Sequence, residues 1–123
     1  MEEHKVTLGG RERTFRYTPK DRMAIEQALF GGSKDIVELI GLATLQVQAT
    51  IVWGGLRHEQ RKLDVDTVID WISEYLENTG PIDEVTHEAV RALGESRACG
   101  FKFTIEVGGK LKVLEGKEER GSA

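Results

Sequence analysis

The apolar stretch from Asp35 to Leu56 is the feature that most constrains the fold of this chain. Few polar side chains interrupt it: Glu38, Thr44, Gln46, Gln48 and Thr50. The stretch approaches the length of a membrane span, but a glutamate and two glutamines would be costly in the hydrocarbon core of a bilayer. A helix that is apolar nearly all round must be covered on most sides. We therefore expect a buried central helix, which could break near Gly41, and self-association of the chain.

The length and composition of the chain predict a single domain. Its 123 residues, of which 39% are hydrophobic, can bury one core. The single cysteine, Cys99, allows no internal disulfide and has the usual character of a small buried hydrophobe. No apolar run of a secretory signal follows Met1. We expect a cytoplasmic protein with one α+β domain over residues 1–114 and a flexible charged tail over 115–123.

Two segments predict β-hairpins. Polar and apolar residues alternate on both sides of a Gly-Gly pair in each of them: 4–8 with 14–17, and 101–107 with 110–114. The pairs Gly9-Gly10 and Gly108-Gly109 supply the positive φ angles that tight turns need. The buried side of the first hairpin is expected to carry Val6, Leu8, Phe15 and Tyr17. The hairpins could form two separate sheets or one sheet of four strands.

Helix signals flank the central stretch. One helix is expected to begin at the cap Thr18 and to run to about Phe30. Another should begin after Asp64 and end before Gly80, and a last one should cover about 81–96. The apolar face of the first helix is expected to carry Met23, Ile25, Ala28, Leu29 and Phe30. The predicted fold class is α+β and mainly α-helical, with an N-terminal hairpin, about four helices and a C-terminal hairpin.

The charge of the chain is distributed unevenly. The net charge of -4 argues against a general nucleic-acid binder, which needs surplus Lys and Arg to neutralise phosphates. Residues 64–96 hold nine carboxylates and only one cationic side chain of the Lys or Arg type, Arg91. Such a surface can simply keep a domain soluble, or it can dock a basic partner.

The sequence contains no recognisable catalytic or metal-binding motif. His4, His58 and His87 are far apart, and no Cys-x-x-Cys or His-Glu-x-x-His spacing occurs. The Gly-Gly pairs lack the neighbours of a phosphate-binding loop, and carboxylates one helical turn apart are ordinary on an acidic helix. We therefore predict no catalytic residue, no metal site and no cofactor.

Large aromatic residues are more informative. Trp53, Trp71 and Tyr75 lie on predicted helices, where such side chains are either core residues or interface anchors. As anchors they would form part of a partner-binding surface, whose candidate residues are Trp53, Leu56, Trp71, Tyr75, Asp70, Glu74 and Glu77.

The hairpin, the helices and the loops between them follow one another in a recognisable order. The hairpin Val6-Thr7-Leu8-Gly9-Gly10-Arg11 leads through Thr18-Pro19 into a helix, and a long apolar helix ends in Trp53-Gly54-Gly55-Leu56-Arg57-His58. Leu63-Asp64-Val65-Asp66 then opens an acidic helix. Over about residues 4–96 this order resembles the tail assembly chaperones of long-tailed bacteriophages and gene transfer agents.

The resemblance implies a function without catalysis. Members of that family bind the tape measure protein, a long helical protein that tends to aggregate, keep it soluble and promote polymerisation of the tail tube around it. The implied location is the host cell cytoplasm, with absence from the mature virion. The implied partners are the tape measure protein, the tail tube protein as a second candidate, and further copies of the chain in a homo-oligomer, with no nucleic acid and no membrane.

Two other functions stay open. The first is a structural head–tail connector or tail component that is retained in the virion. The second is a small enzyme, which would require polar groups clustered in a pocket.

Overall fold

A computed structural model describes residues 4–30, 44–105 and 111–115 of the chain. Four helices and two hairpins lie within these ranges, and the predicted α+β, mainly α-helical class is confirmed. In chain order the elements are β1 (His4–Leu8), β2 (Arg11–Phe15), α1 (Pro19–Phe30), α2 (Leu45–Leu56), α3 (Val65–Asn78), α4 (Asp83–Glu95), β3 (Lys102–Ile105) and β4 (Leu111–Glu115). None of these helices has the length and apolar character that crossing a bilayer requires.

The hairpins form two separate antiparallel sheets within the described ranges. The alternative of a single four-stranded sheet is therefore wrong. In the first hairpin Leu8 pairs with Arg11 across Gly9 and Gly10, whose φ angles of 63° and 83° are readily adopted only by glycine. Strand β2 begins three residues earlier than predicted, which places Arg13 on its buried face.

Capping side chains begin helices α1 and α3 as predicted. The Thr18 hydroxyl accepts a hydrogen bond from the Asp21 N–H at 3.3 Å, and the Asp21 carboxylate accepts one from the Thr18 N–H at 2.9 Å. The Asp64 carboxylate accepts a bond from the Thr67 N–H at 2.8 Å. Hydrogen bonds from Thr67 lower the pKa of Asp64, because they stabilise its ionised form.

Helix α2 lies at the centre of the core, against α1, α3, α4 and β2. The side chains of Val52 and Leu56 have no exposed surface. The Tyr17 hydroxyl donates a hydrogen bond to the Ile51 carbonyl at 2.6 Å, and burial raises the pKa of Tyr17. The buried central helix is thus confirmed over its described part, while residues 35–43, including the break predicted near Gly41, lie outside the described residues.

The core-facing side of α1 differs from the predicted apolar face. Ile25 is fully buried and Leu29 packs against the core, but Met23 is 68% exposed. Ala28 is exposed as well. Each residue advances about 100° around a helix, so Met23 lies about 200° from Ile25 and cannot share its face.

The C-terminal hairpin packs on α4 through strand β3. Phe103 is fully buried, and a Cβ atom placed on Gly94 would lie 1.9 Å from the Phe103 carbonyl oxygen. Only glycine permits so close an approach of strand to helix. Residue 115, the first of the predicted tail, belongs to β4, whereas Gly108-Gly109 and residues 116–123 lie outside the described residues.

Self-association remains a prediction, and it now depends on residues 36–43. Among the large apolar side chains of α2, Leu45 is 42% exposed and Trp53 is half-buried, while Val47, Ile51, Val52 and Leu56 are buried within the protomer. We expect light scattering at micromolar concentration to report a mass above 13.7 kDa. Replacing Ile36 and Ile40 with serine should lower this mass, because it removes two large apolar side chains from the stretch whose hydrophobicity predicts self-association.

The matched control replaces Met23 and Leu114 with serine. Both are exposed apolar residues elsewhere on the surface, so these changes should leave the mass as it is in the unmodified chain. A monomer at every concentration would contradict self-association.

Candidate functional site

A groove of about 540 Å³ lies between strand β1 and helices α3 and α4. Lys5 to Leu8 of β1 form one wall. Trp71 and Tyr75 of α3 also line the groove, together with Glu84 and Val85 of α4. Aromatic and charged side chains thus line one concave surface, as is common in the centres and rims of protein interfaces.

Trp71 connects the groove to the first hairpin. A Cβ atom placed on Gly9 would lie 2.7 Å from the indole ring, so the turn rests directly on Trp71. On the same ring lies the guanidinium group of Arg13, whose central carbon is 3.8 Å from the ring centroid, a cation–π contact. Trp71 is half-buried and also lines the groove, so it both supports the hairpin and offers an aromatic surface.

Arg13 is a buried cation beneath the hairpin, with 3% of its surface exposed. Its Nε donates a hydrogen bond to the Leu8 carbonyl at 2.6 Å, and its Nη1 lies 3.4 Å from Oε1 of Glu59. Burial and the nearby Arg11 lower the pKa of Arg13, whereas Glu59 raises it. Glu59 therefore supplies the counter-charge that lets the guanidinium group remain ionised inside the fold.

The outer edge of strand β2 is covered by the segment that follows α2. The Thr14 N–H donates to Oε2 of Glu59 at 3.1 Å, and the Thr14 carbonyl oxygen lies 2.8 Å from Nε2 of His58. The Arg16 N–H donates to the Gly55 carbonyl at 2.9 Å. A further strand cannot pair with this edge at Thr14, because the outward N–H and carbonyl of Thr14 are already bonded.

His4 fastens the start of β1 to helix α4. The imidazole is buried, with Nδ1 in contact with Glu88 and Nε2 3.0 Å from Oε2 of Glu95. These contacts hold the β1 wall of the groove against the helix that closes its other side.

The groove carries an excess of negative charge. Its charged lining residues are Lys5, Glu12, Glu74, Glu84 and Glu88. Glu12 lies 3.6 Å from the Lys5 ammonium group, and Glu88 contacts the cationic side chain of Arg91 at 3.2 Å. Among the described residues, Glu74 and Glu84 have no ion-pair partner. These two carboxylates are therefore available to a cation from another molecule.

The predicted partner-binding residues do not all lie on one surface. Trp71, Glu74 and Tyr75 meet in the groove. Asp70 and Glu77 are exposed on α3 but do not line it. Leu56 is wholly buried and is a core residue in this fold, so it has no surface for a partner to touch.

Trp53 packs away from the groove lining, at the junction of α2 and α3. Its side chain is half-buried against the core, and its Nε1–H donates to the Leu63 carbonyl at 2.8 Å. The guanidinium carbon of Arg57 lies 5.2 Å from its ring centroid. These contacts favour a structural role for Trp53 over that of an interface anchor.

Arg13, Glu59 and Glu84 are not among the site residues predicted from the sequence. Arg13 lies two residues before the apolar Phe15, so an extension of the period of two into β2 could have placed it on the buried face. Glu59 and Glu84 carry no comparable local signal, because their roles depend on elements distant in the chain.

No match to a known protein adds to these observations. Within the described ranges, no three His, Cys, Asp or Glu side chains converge as metal ligands would. Cys99 is buried. No family model, curated protein or solved structure matches the chain. A functional proposal therefore rests on the groove and on the resemblance of the quoted segments.

Proposed function

We propose that the protein is a phage tail assembly chaperone that binds the tape measure protein in the groove between β1, α3 and α4. It keeps that client soluble, promotes tail tube polymerisation around it and acts without catalysis in the host cytoplasm. The proposal rests on the groove itself, where Trp71 and Tyr75 lie beside Glu74 and Glu84, two carboxylates without an ion-pair partner among the described residues. The order of segments over residues 4–96 supports the same family.

The two kinds of side chain would serve different steps of client binding. Carboxylates without a partner attract Lys and Arg residues over several ångströms and so raise the association rate. Half-exposed Trp and Tyr rings bury a large area at low entropic cost, which slows dissociation. A client that must be held and then released to the tail tube suits a site of this kind.

Co-expression with the tape measure protein tests the proposal. The chain should raise the soluble fraction of the tape measure protein and should co-purify with it. Mass spectrometry of purified virions should not detect the chain. A stoichiometric amount in virions would support the alternative, a structural connector or tail component, and an unchanged soluble fraction would contradict the chaperone function.

The charges of Glu74 and Glu84 give a quantitative prediction. Replacing Glu74 and Glu84 with glutamine should slow association with the tape measure protein about tenfold at low salt, because the attraction for basic residues is lost. Raising the salt from about 0.05 to 0.5 M should produce a similar loss in the unmodified chain, because screening shortens the range of the attraction. Stopped-flow fluorescence of the tryptophans measures both effects.

The control removes the same charge outside the groove. Asp70→Asn with Glu77→Gln changes two exposed carboxylates of α3 that do not line the groove. This pair should slow association less than the groove pair does, because Asp70 and Glu77 lie one helical turn from Glu74 but outside the groove lining. An equal loss with both pairs would contradict a localised site, and no loss with either would leave the acidic helices as a solvated surface.

A further inference from the structure

Strand β1 directs part of its backbone away from its partner strand. Leu8 pairs with Arg11 across a two-residue turn, and the closing pair of such a turn exchanges both of its hydrogen bonds. Hydrogen-bonded and non-bonded pairs then alternate along the ladder. The backbone groups of Thr7, which lies opposite Glu12, therefore point to the outer edge of β1.

Strand β2 shows the same alternation from the other side. Thr14 belongs to the same class of non-bonded pairs as Glu12, and its N–H and carbonyl are indeed turned outward, onto Glu59 and His58. The side chains of the segment after α2 thus close the outer edge of β2 at Thr14, whereas no hydrogen bond among the described residues closes the outer edge of β1 at Thr7.

Thr7 lies in the groove with its outer backbone groups unbonded. It is exposed, it lines the groove, and no hydrogen bond to its N–H or carbonyl is present among the described residues. An extended chain can bond to such an edge, whereas a helix cannot, because its own backbone groups are already paired internally.

The charge of the groove indicates the composition of the extended chain. Glu74 and Glu84 line the groove together with residues of β1, and both lack an ion-pair partner within the described part of the chain. An extended segment presents alternate side chains to the same face. Lys or Arg at every second position would therefore place several cations along one side of an added strand.

From the register and the charge together, we propose that the groove binds an extended segment rich in Lys or Arg, which pairs with β1 at Thr7 as a third strand of the sheet. The assignment of this segment to the tape measure protein rests on the proposed function. The strand pairing at Thr7 does not rest on it, so the pairing and the identity of the client can be contradicted separately.

Amide hydrogen exchange in the full chain tests the pairing directly. Two probes are used: overlapping fifteen-residue peptides of the tape measure protein, and a synthetic nine-residue peptide in which Lys alternates with Val. A bound strand should slow exchange of the Thr7 amide at least about tenfold, because that N–H becomes hydrogen-bonded. The Thr14 amide, already bonded to Glu59, serves as the internal reference and should not change.

Methylation of the peptide backbone provides the matched control. Methyl groups on every second peptide nitrogen should weaken binding at least about tenfold when those N–H groups face β1. Methyl groups on the other nitrogens should be tolerated, because those N–H groups point away. Side chains and charge are identical in the two series, so only strand pairing predicts this alternation.

A pair of substitutions at Thr7 tests the same edge from the protein side. Thr7→Pro removes the outward N–H, which an edge strand tolerates, and should weaken peptide binding at least about tenfold. Thr7→Val keeps the N–H and should bind as the unmodified chain does. If circular dichroism shows that Thr7→Pro does not fold, the methylated peptides decide the question.

The outcomes separate the two proposals. If the synthetic peptide protects the Thr7 amide and no tape measure peptide binds, the proposal of strand addition is supported. The proposal that the tape measure protein is the client is then contradicted. If tape measure peptides bind and the Thr7 amide exchanges as before, the tape measure protein is supported as the client. The proposal of strand addition is then contradicted. If neither probe protects Thr7, strand addition at this edge is overturned.

Discussion

Replacing Glu59 with glutamine is expected to lower the free energy of unfolding by about 3 kcal/mol, because it leaves a buried cation without its counter-charge. Arg13 is nearly inaccessible to water, and Oε1 of Glu59 lies 3.4 Å from its Nη1. The same carboxylate accepts the Thr14 N–H through its other oxygen. Glutamine offers only one oxygen to replace the two, and its amide nitrogen cannot accept from either donor. Urea denaturation at neutral pH measures the change.

Two comparisons separate this effect from a general loss of charge. Glu12→Gln removes a carboxylate that pairs with Lys5 at the surface, and should cost less than about 1 kcal/mol. Arg13→Met together with Glu59→Gln removes both charges and should recover much of the loss, since no buried ion is left unpaired. If Glu59→Gln costs no more than Glu12→Gln, Arg13 does not depend on Glu59.

The elements that were predicted well from the sequence are those that nearby residues specify. Gly9-Gly10 marks the first turn, and Thr18 and Asp64 begin their helices with their own side chains. Each of these signals acts within about four residues of chain, so the surrounding fold is not needed to recognise it.

The groove could not be predicted in the same way. Its walls come from β1 and from α3 and α4, which are distant in the chain, and no sequence pattern indicates that they meet. The run of carboxylates over residues 64–96 predicts an acidic surface. Which of these carboxylates form ion pairs depends on tertiary contacts, which the sequence pattern does not indicate. Glu88 contacts His4 and Arg91, and Glu12 pairs with Lys5. Within the described part of the chain, Glu74 and Glu84 have no ion-pair partner.

Strand β2 shows how tertiary contacts override a local pattern. Arg11, Glu12 and Arg13 interrupt the alternation of apolar residues, so the sequence favours a later start for the strand. The observed strand includes them because the Trp71 ring and the Glu59 carboxylate receive the Arg13 side chain from elements far along the chain. A polar residue on a buried face is acceptable once its charge and donors are satisfied.

Truncating Trp53 to alanine is expected to cost about 3 kcal/mol of folding stability and to leave client affinity within about twofold in the folded protein. The indole packs against the core, and its N–H bonds to the Leu63 carbonyl, so its removal opens a cavity and orphans an acceptor. Trp53→Phe keeps most of the ring and should cost about 1 kcal/mol through the lost hydrogen bond. Thermal denaturation measures both changes.

Trp71→Ala is the contrasting substitution, because Trp71 lines the groove and Trp53 does not. It should weaken binding of the tape measure protein by about 2 kcal/mol or more, measured by calorimetry on samples shown to be folded at the temperature used. Loss of the ring beneath Gly9 and Arg13 should also lower stability, so affinity is compared only between folded variants. If folded Trp53→Ala fails to bind and folded Trp71→Ala binds normally, the anchor lies at the end of α2 and not in the groove.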